Sequence, residues 1–139
     1  MATLQFSVTV RNAKLDAIET AIGTAPIIEL RTGSLPANCA AVSTGNLLSR
    51  DAIPSDWMAA ASNGSKAKSG TWTLTGAANI TTQNIGYFRI YAAGSPDVCH
   101  AQGDVTATGG GGAMTVDNVS VAALQAITVN SFTITEGNA

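Results

Sequence analysis

Turn-forming residues interrupt this chain at roughly ten-residue intervals, the spacing expected of short strands joined by tight loops. Thr32-Gly33, Pro54-Ser55-Asp56, the polar stretch 63–70, Gly94-Ser95-Pro96-Asp97 and Asp117-Asn118 separate segments in which apolar and polar residues alternate. Alternation with period two places every second side chain on one face, as a half-buried strand requires. Leu4, Phe6, Val8 and Val10 alternate with Gln5, Ser7 and Thr9, and Trp72 and Leu74 alternate with Thr71, Thr73 and Thr75. Segments 26–33, 46–50, 98–106 and 113–117 also read as strands. Segment 85–91, IGYFRIY, is densest in β-branched and aromatic residues and is expected to be central. Along 124–135 the apolar phase slips between Val129 and Phe132, which predicts a β-bulge near Asn130-Ser131. Segment 34–45 is rich in small residues and declares no period, and 77–84 reads as a loop or an edge strand.

One stretch changes period. Leu15, Ile18 and Ile22 recur three and four residues apart, with Lys14, Asp16 and Glu19 on the other side. A short amphipathic helix follows, with Asn12 as N-cap, Gly23 just past its end and Pro26 preventing continuation. Ser55 or Asp56 reads as the cap of one further helical turn leading into Trp57 and Met58. The glycine run 109–112 reads as a flexible tip, because glycine accepts positive φ freely. About eight strands, no composition break and no internal repeat give one domain over residues 1–139. The expected fold is mainly all-β, jelly-roll-like or another two-sheet β-sandwich, with one short helix near the N-terminus. An immunoglobulin-like sandwich is the second choice.

Charge narrows the partners. Only 12% of the 139 residues are charged, with seven Lys plus Arg against nine Asp plus Glu. Phosphate backbones demand clustered cations, so nucleic acid is not expected as a partner. Lys66 and Lys68 are the nearest thing to a cluster, and they read as part of a solvated Ser/Gly-rich loop. No stretch reaches the ~20 apolar residues of a membrane span. The first residues, MATLQFSVTVR, carry neither a basic region nor an apolar run of signal-peptide type. Synthesis in the cytoplasm is therefore expected, and with it reduced thiols at Cys39 and Cys99. A disulfide between them requires Cα atoms within about 7 Å, which spacing does not reveal.

No catalytic, cofactor or metal residues emerge. His100 is the only histidine, which removes multi-histidine metal sites. Its neighbour Cys99 suggests a thiol–imidazole couple, but adjacent residues of a strand point to opposite faces. Cys99 is expected inward and His100 outward. Asp97 and Asp104 could straddle a hairpin as an acid–base pair or calcium ligands, but the dense oxygen spacing of a calcium loop is missing. Turn chemistry accounts for Asp97 and Asp117 more simply. Trp57 and Trp72 are isolated aromatics, expected in the core or an interface.

Several strings carry a family resemblance. LDAIETAIGTAPIIELRTGSLPANCA (15–40), IPSDWMAAAS (53–62), GYFRIY (86–91), CHAQGDV (99–105) and GGGGAMTVDN (109–118) resemble small virion structural proteins of tailed bacteriophages and prophages. The resemblance implies a non-enzymatic virion component without cofactor. It points first to a capsid decoration or cement protein that binds the major capsid protein and self-associates as a homo-oligomer. A tail, collar or fibre-base protein with tail or neck partners is the alternative. From another class, a glycan-binding or glycan-cleaving domain would need converging carboxylates or an aromatic shelf. The contact elements expected on the particle are the N-terminal strand 3–10, the 109–112 tip and the 136–139 tail.

Overall fold

The computed structural model describes residues 3–94 and 98–138. It is mostly β, with one helix and two sheets, consistent with a β-sandwich. The helix α1 spans Val8–Ile22. The strands are β1 (Ile27–Arg31), β2 (Leu47–Ala52), β3 (Ser65–Ala67), β4 (Trp72–Thr75), β5 (Gln83–Asn84), β6 (Tyr87–Tyr91), β7 (Cys99–Ala107), β8 (Met114–Val116), β9 (Ser120–Val121) and β10 (Ala126–Thr135). Ten strands are present among the described residues against the roughly eight expected: β3, β5 and β9 are gained, β5 within the segment read as a loop or an edge strand, and the strand expected at 4–10 is not formed.

The large sheet runs β2-β1-β6-β7-β8-β10-β3, with β4 also paired to β10. As anticipated, β6 is an interior strand, buried along its whole length between β1 and β7. The long β10 holds β8 on one side and both β4 and β3 on the other. Its register shifts between Val129 and Ser131, the bulge that the phase slip predicts. The sheet curls until its ends meet: Thr75 N–H donates to Asp51 Oδ2 at 2.9 Å, and Ala77 N–H donates to Leu48 O at 2.8 Å. Rolling the sheet covers the apolar face of each strand, which is the main gain in folding.

One core fills the enclosed space, with Ile28, Leu30, Leu48, Trp57, Trp72, Leu74, Phe88, Ile90 and Phe132 among its members. Trp57, Trp72, Phe132 and Phe88 form a chain of ring contacts with centroid spacings of 5.6–6.0 Å. Each indole N–H finds a carbonyl, Trp57 at Gly23 and Trp72 at Ser69, so burial leaves no unpaired donor there.

Five local expectations are corrected. Residues 4–10 are not a strand. The helix starts at Val8, and Ser7 is its N-cap, its hydroxyl accepting from Val10 N–H. Leu4, Val8 and Val10 stay exposed. Their alternation finds no strand partner, so the capping hydroxyl and the downstream helical pattern decide the conformation. Asn12 lies within the helix and accepts from Gly64 N–H instead of capping, whereas Gly23 does end the helix with φ 91°. The turn expected at Ser55-Asp56 is not helical; Met58 makes a strand-like bridge to Lys68.

The run 109–112 is not a free tip. It turns the chain back within residues 108–113 so that β8 lies parallel to β7, a pairing that ordinarily needs a crossover of a dozen or more residues. Gly109 and Gly111 sit at φ 88° and 79°. A Cβ on Gly112 would come within 2.9 Å of the Thr106 backbone nitrogen. Glycine is called for by positive φ at Gly109 and Gly111 and by close approach to Thr106 at Gly110 and Gly112.

The fifth correction concerns Lys66, which is 2% exposed rather than solvated. Its ammonium reaches Asp16 Oδ1 (2.7 Å), Glu19 Oε2 (2.8 Å) and Ala59 O (2.8 Å). Those three acceptors match the three donors of a lysine. Hydrogen bonds from Lys66 and then from the Ala61 amide hold the Asp16 carboxyl below its ordinary value of 3.8. Burial pulls the Lys66 ammonium down, but bonding to Asp16 and Glu19 outweighs it and leaves the group above 10.5. The helix is thus docked through its polar side as well as through Leu15 and Ile22.

Candidate functional site

The outer face of β1, β2, β6 and β7 carries polar side chains in register. Arg50, Glu29, Arg89 and Gln102 lie opposite one another across β2, β1, β6 and β7, so their side chains share one face. Glu29 and Arg89 are buried, at 4% and 3% exposure. The Glu29 carboxylate accepts from Arg31 Nε at 2.9 Å, from Tyr91 OH at 3.3 Å and from Arg50 Nη1.

Segment 34–45 crosses this face as a strap held by polar contacts. Gln102 Nε2 donates to Pro36 O at 2.7 Å, and Arg89 Nη2 donates to Asn38 O at 3.1 Å. Arg89 Nη1 donates to Ser43 Oγ at 3.0 Å, Tyr87 OH donates to Thr44 O, and Arg31 Nη1 donates to Gly45 O at 3.2 Å. The strap has no repeating apolar residues because the face beneath it is polar. Between strap and sheet lies a cavity of about 430 Å³, lined by Glu29, Arg31, Arg50, Arg89, Tyr91 and the strap residues 39–43.

The two cysteines meet at the edge of this arrangement. Cys39 on the strap and Cys99 on β7 have their sulfurs 2.9 Å apart, and both thiols are half-buried. Burial first, and then contact with Cys39, push the Cys99 thiol up to about 12. His100 takes no part. It is exposed and sits at the rim of a separate groove of about 450 Å³, with Ile18, Phe132 and Ile134.

Other residues of interest are dispersed. Asp104 accepts from Ala113 N–H, fixing the turn into β8; Asp97 lies outside the described residues. Asp117 accepts from Asn118 N–H and Thr128 N–H, as turn chemistry requires. Among the described residues no three His, Cys, Asp or Glu side chains are grouped to hold a metal ion. Trp57 and Trp72 are fully buried. The chain ends are tied together: Phe6 N–H donates to Asn138 O, and Glu136 pairs with Lys14. No described helix is long and apolar enough to cross a membrane.

No motif or spacing in the sequence groups Glu29, Arg31, Arg50 and Arg89 as a site. One signal was present, an arginine in the middle of IGYFRIY, the most apolar strand. A charge there has to be covered by something other than core.

No family model matches the chain, and neither the curated proteins nor the solved structures give a match.

Proposed function

We propose that this chain is a non-catalytic structural domain of a bacteriophage particle, a decoration or cement protein bound to the major capsid protein on the head exterior. The observation that carries this reading is the employment of its carboxylates. Apart from Asp56, each described Asp and Glu is engaged in holding the fold. Asp16 and Glu19 bind Lys66, Glu29 binds Arg31 and Arg50, and Glu136 binds Lys14. Asp51, Asp104 and Asp117 accept backbone N–H groups. An acid–base pair needs two carboxylates converging on one substrate, and among the described carboxylates only Glu29 lines the polar cavity. All four Trp and Tyr side chains are buried, so they offer no aromatic shelf to a sugar. The sequence resemblance to phage virion proteins supplies the context.

Binding through such a domain rests on many weak contacts. Exposed Leu4, Leu35, Val42, Val98 and Leu124 are spread over a charge-poor surface that is cheap to desolvate. Self-association and repeated attachment on a symmetric shell then add through effective concentration. Within the sandwich class, the parallel β7–β8 pair favours another two-sheet arrangement over the antiparallel jelly roll.

Purified chain mixed with empty capsids tests the proposal. Saturable co-sedimentation and a raised capsid melting temperature are expected, with a copy number in the particle comparable to that of the coat subunits. Recovery with isolated tails alone would move the chain to the tail, collar or fibre base. Depolymerisation of a polysaccharide by the isolated chain would refute the non-catalytic reading.

A further inference from the structure

We propose that the cavity beneath the 34–45 strap is a binding site for a compact oxyanion, the carboxylate or phosphate group of a small molecule. Among the described residues that line it are three guanidinium groups, those of Arg31, Arg50 and Arg89, and one carboxylate, that of Glu29. That carboxylate is taken by Arg31, Arg50 and the Tyr91 hydroxyl. Arg89 stands directly opposite Glu29 in the sheet, yet its bonds go elsewhere. It donates to Gln102 Oε1, Ser43 Oγ and Asn38 O, all neutral acceptors. Among the described residues no carboxylate lies within ion-pair distance of it.

A buried guanidinium without an opposite charge is costly, and proteins normally supply a counter-charge. Arg89, only 3% exposed, borders the cavity rather than packed core. Three of its five N–H donors are used by the neutral groups. An oxyanion in the cavity would meet the remaining donors and offset the charge of Arg89. The class of ligand follows from the donors. A planar guanidinium matches two oxygens of a carboxylate or phosphate side by side, which a halide cannot offer. The strap wall, made of Cys39, Ala40, Ala41, Val42 and Ser43, carries small side chains that leave room for it. A volume of about 430 Å³ accommodates a phosphate or a short dicarboxylate with water to spare. The site stands whether or not the chain is a virion component.

Thermal melting with inorganic phosphate and with succinate, each against sodium chloride at matched ionic strength, tests the site. The expected result is a saturable rise in Tm of several degrees with at least one oxyanion and none with chloride. The stronger of the two responses assigns phosphate or carboxylate. Backbone amide NMR shifts during the same titration are expected at residues 39–43 and around positions 29, 50 and 89. Arg89→Gln should abolish both responses. Because that variant removes strap contacts, Ala41→Glu provides a second reading: a carboxylate introduced on the cavity wall should raise Tm without ligand and eliminate the response to phosphate and succinate. Equal Tm shifts with chloride, amide shifts scattered away from the strap, or an undiminished response in Ala41→Glu would each overturn the proposal.

Discussion

Replacing Lys66 by Met separates a buried ion cluster from a solvated loop by a wide margin. The substitution keeps an unbranched apolar stem of similar length but removes the ammonium that Asp16, Glu19 and Ala59 O share. Breaking a fully buried pair from one side costs ~3–5 kcal/mol. Asp16 is 49% exposed at its side chain and Glu19 26%, so water reaches both carboxylates after the change. That pulls the cost of losing the buried Lys66 ammonium toward ~2 kcal/mol, and the orphaned Ala59 carbonyl adds ~1 kcal/mol. The total is about 3 kcal/mol. With an unfolding entropy of ~2.1 cal/mol/K per residue, a chain of this length should lose about 10 °C in Tm. A lysine on a solvated loop would shift stability by no more than ~0.5 kcal/mol, or about 2 °C. Calorimetry at pH 7 measures the difference, with Lys68→Met as the control from the same segment. Adding Asp16→Asn and Glu19→Gln to Lys66→Met should recover part of the lost Tm, because the two carboxylates no longer face each other uncompensated. A Tm for Lys66→Met within about 2 °C of the parent would refute the buried-cluster account.

The same cluster sets a pH window. Asp16 titrates below 3.8 in the folded chain, so its contribution is present above that value and is lost as pH falls through the lowered one. Lys66 titrates above 10.5, so its contribution is complete below that value and is lost as pH rises through the raised one. Urea denaturation should show both slopes in the parent and neither at full size in Lys66→Met. Oxidation by glutathione disulfide is expected to join Cys39 and Cys99, faster as pH rises because the Cys99 thiol sits at about 12. Closing a loop of 60 residues should add about 4 kcal/mol, read as a higher urea midpoint; two thiols persisting in an Ellman titration would contradict it. Gly112→Ala should cost ~1–3 kcal/mol by pushing against the Thr106 backbone. A neutral outcome there would restore the free-tip reading.

Much of the fold was legible because its signals are local. Period two marked β4, hydrophobic density marked β6, and a slip of phase marked the β10 bulge. Each depends only on neighbours within a few residues. The N-terminal segment shows the limit of that logic: Leu4, Phe6, Val8 and Val10 alternate like a strand, but alternation has meaning only where a partner strand waits, and a serine cap took the chain into a helix. Lys66 and the glycine run failed in the same way. Their settings are made by Asp16 and Glu19, about fifty residues away, and by Thr106 on the strand beneath.

The arginine-lined cavity was invisible for a related reason. Arg50, Glu29 and Arg89 come from three strands, and strand order follows from which apolar faces pack best over the whole chain. By itself, the sequence determined a charge-poor β domain with one helix, built from short alternating segments. Only tertiary pairing decided that Arg89 would be buried with no described carboxylate within ion-pair distance, beneath a strap that also brings Cys39 to Cys99. Local pattern sets which face of a strand is apolar; which polar groups meet on the other face depends on register between segments far apart in the chain.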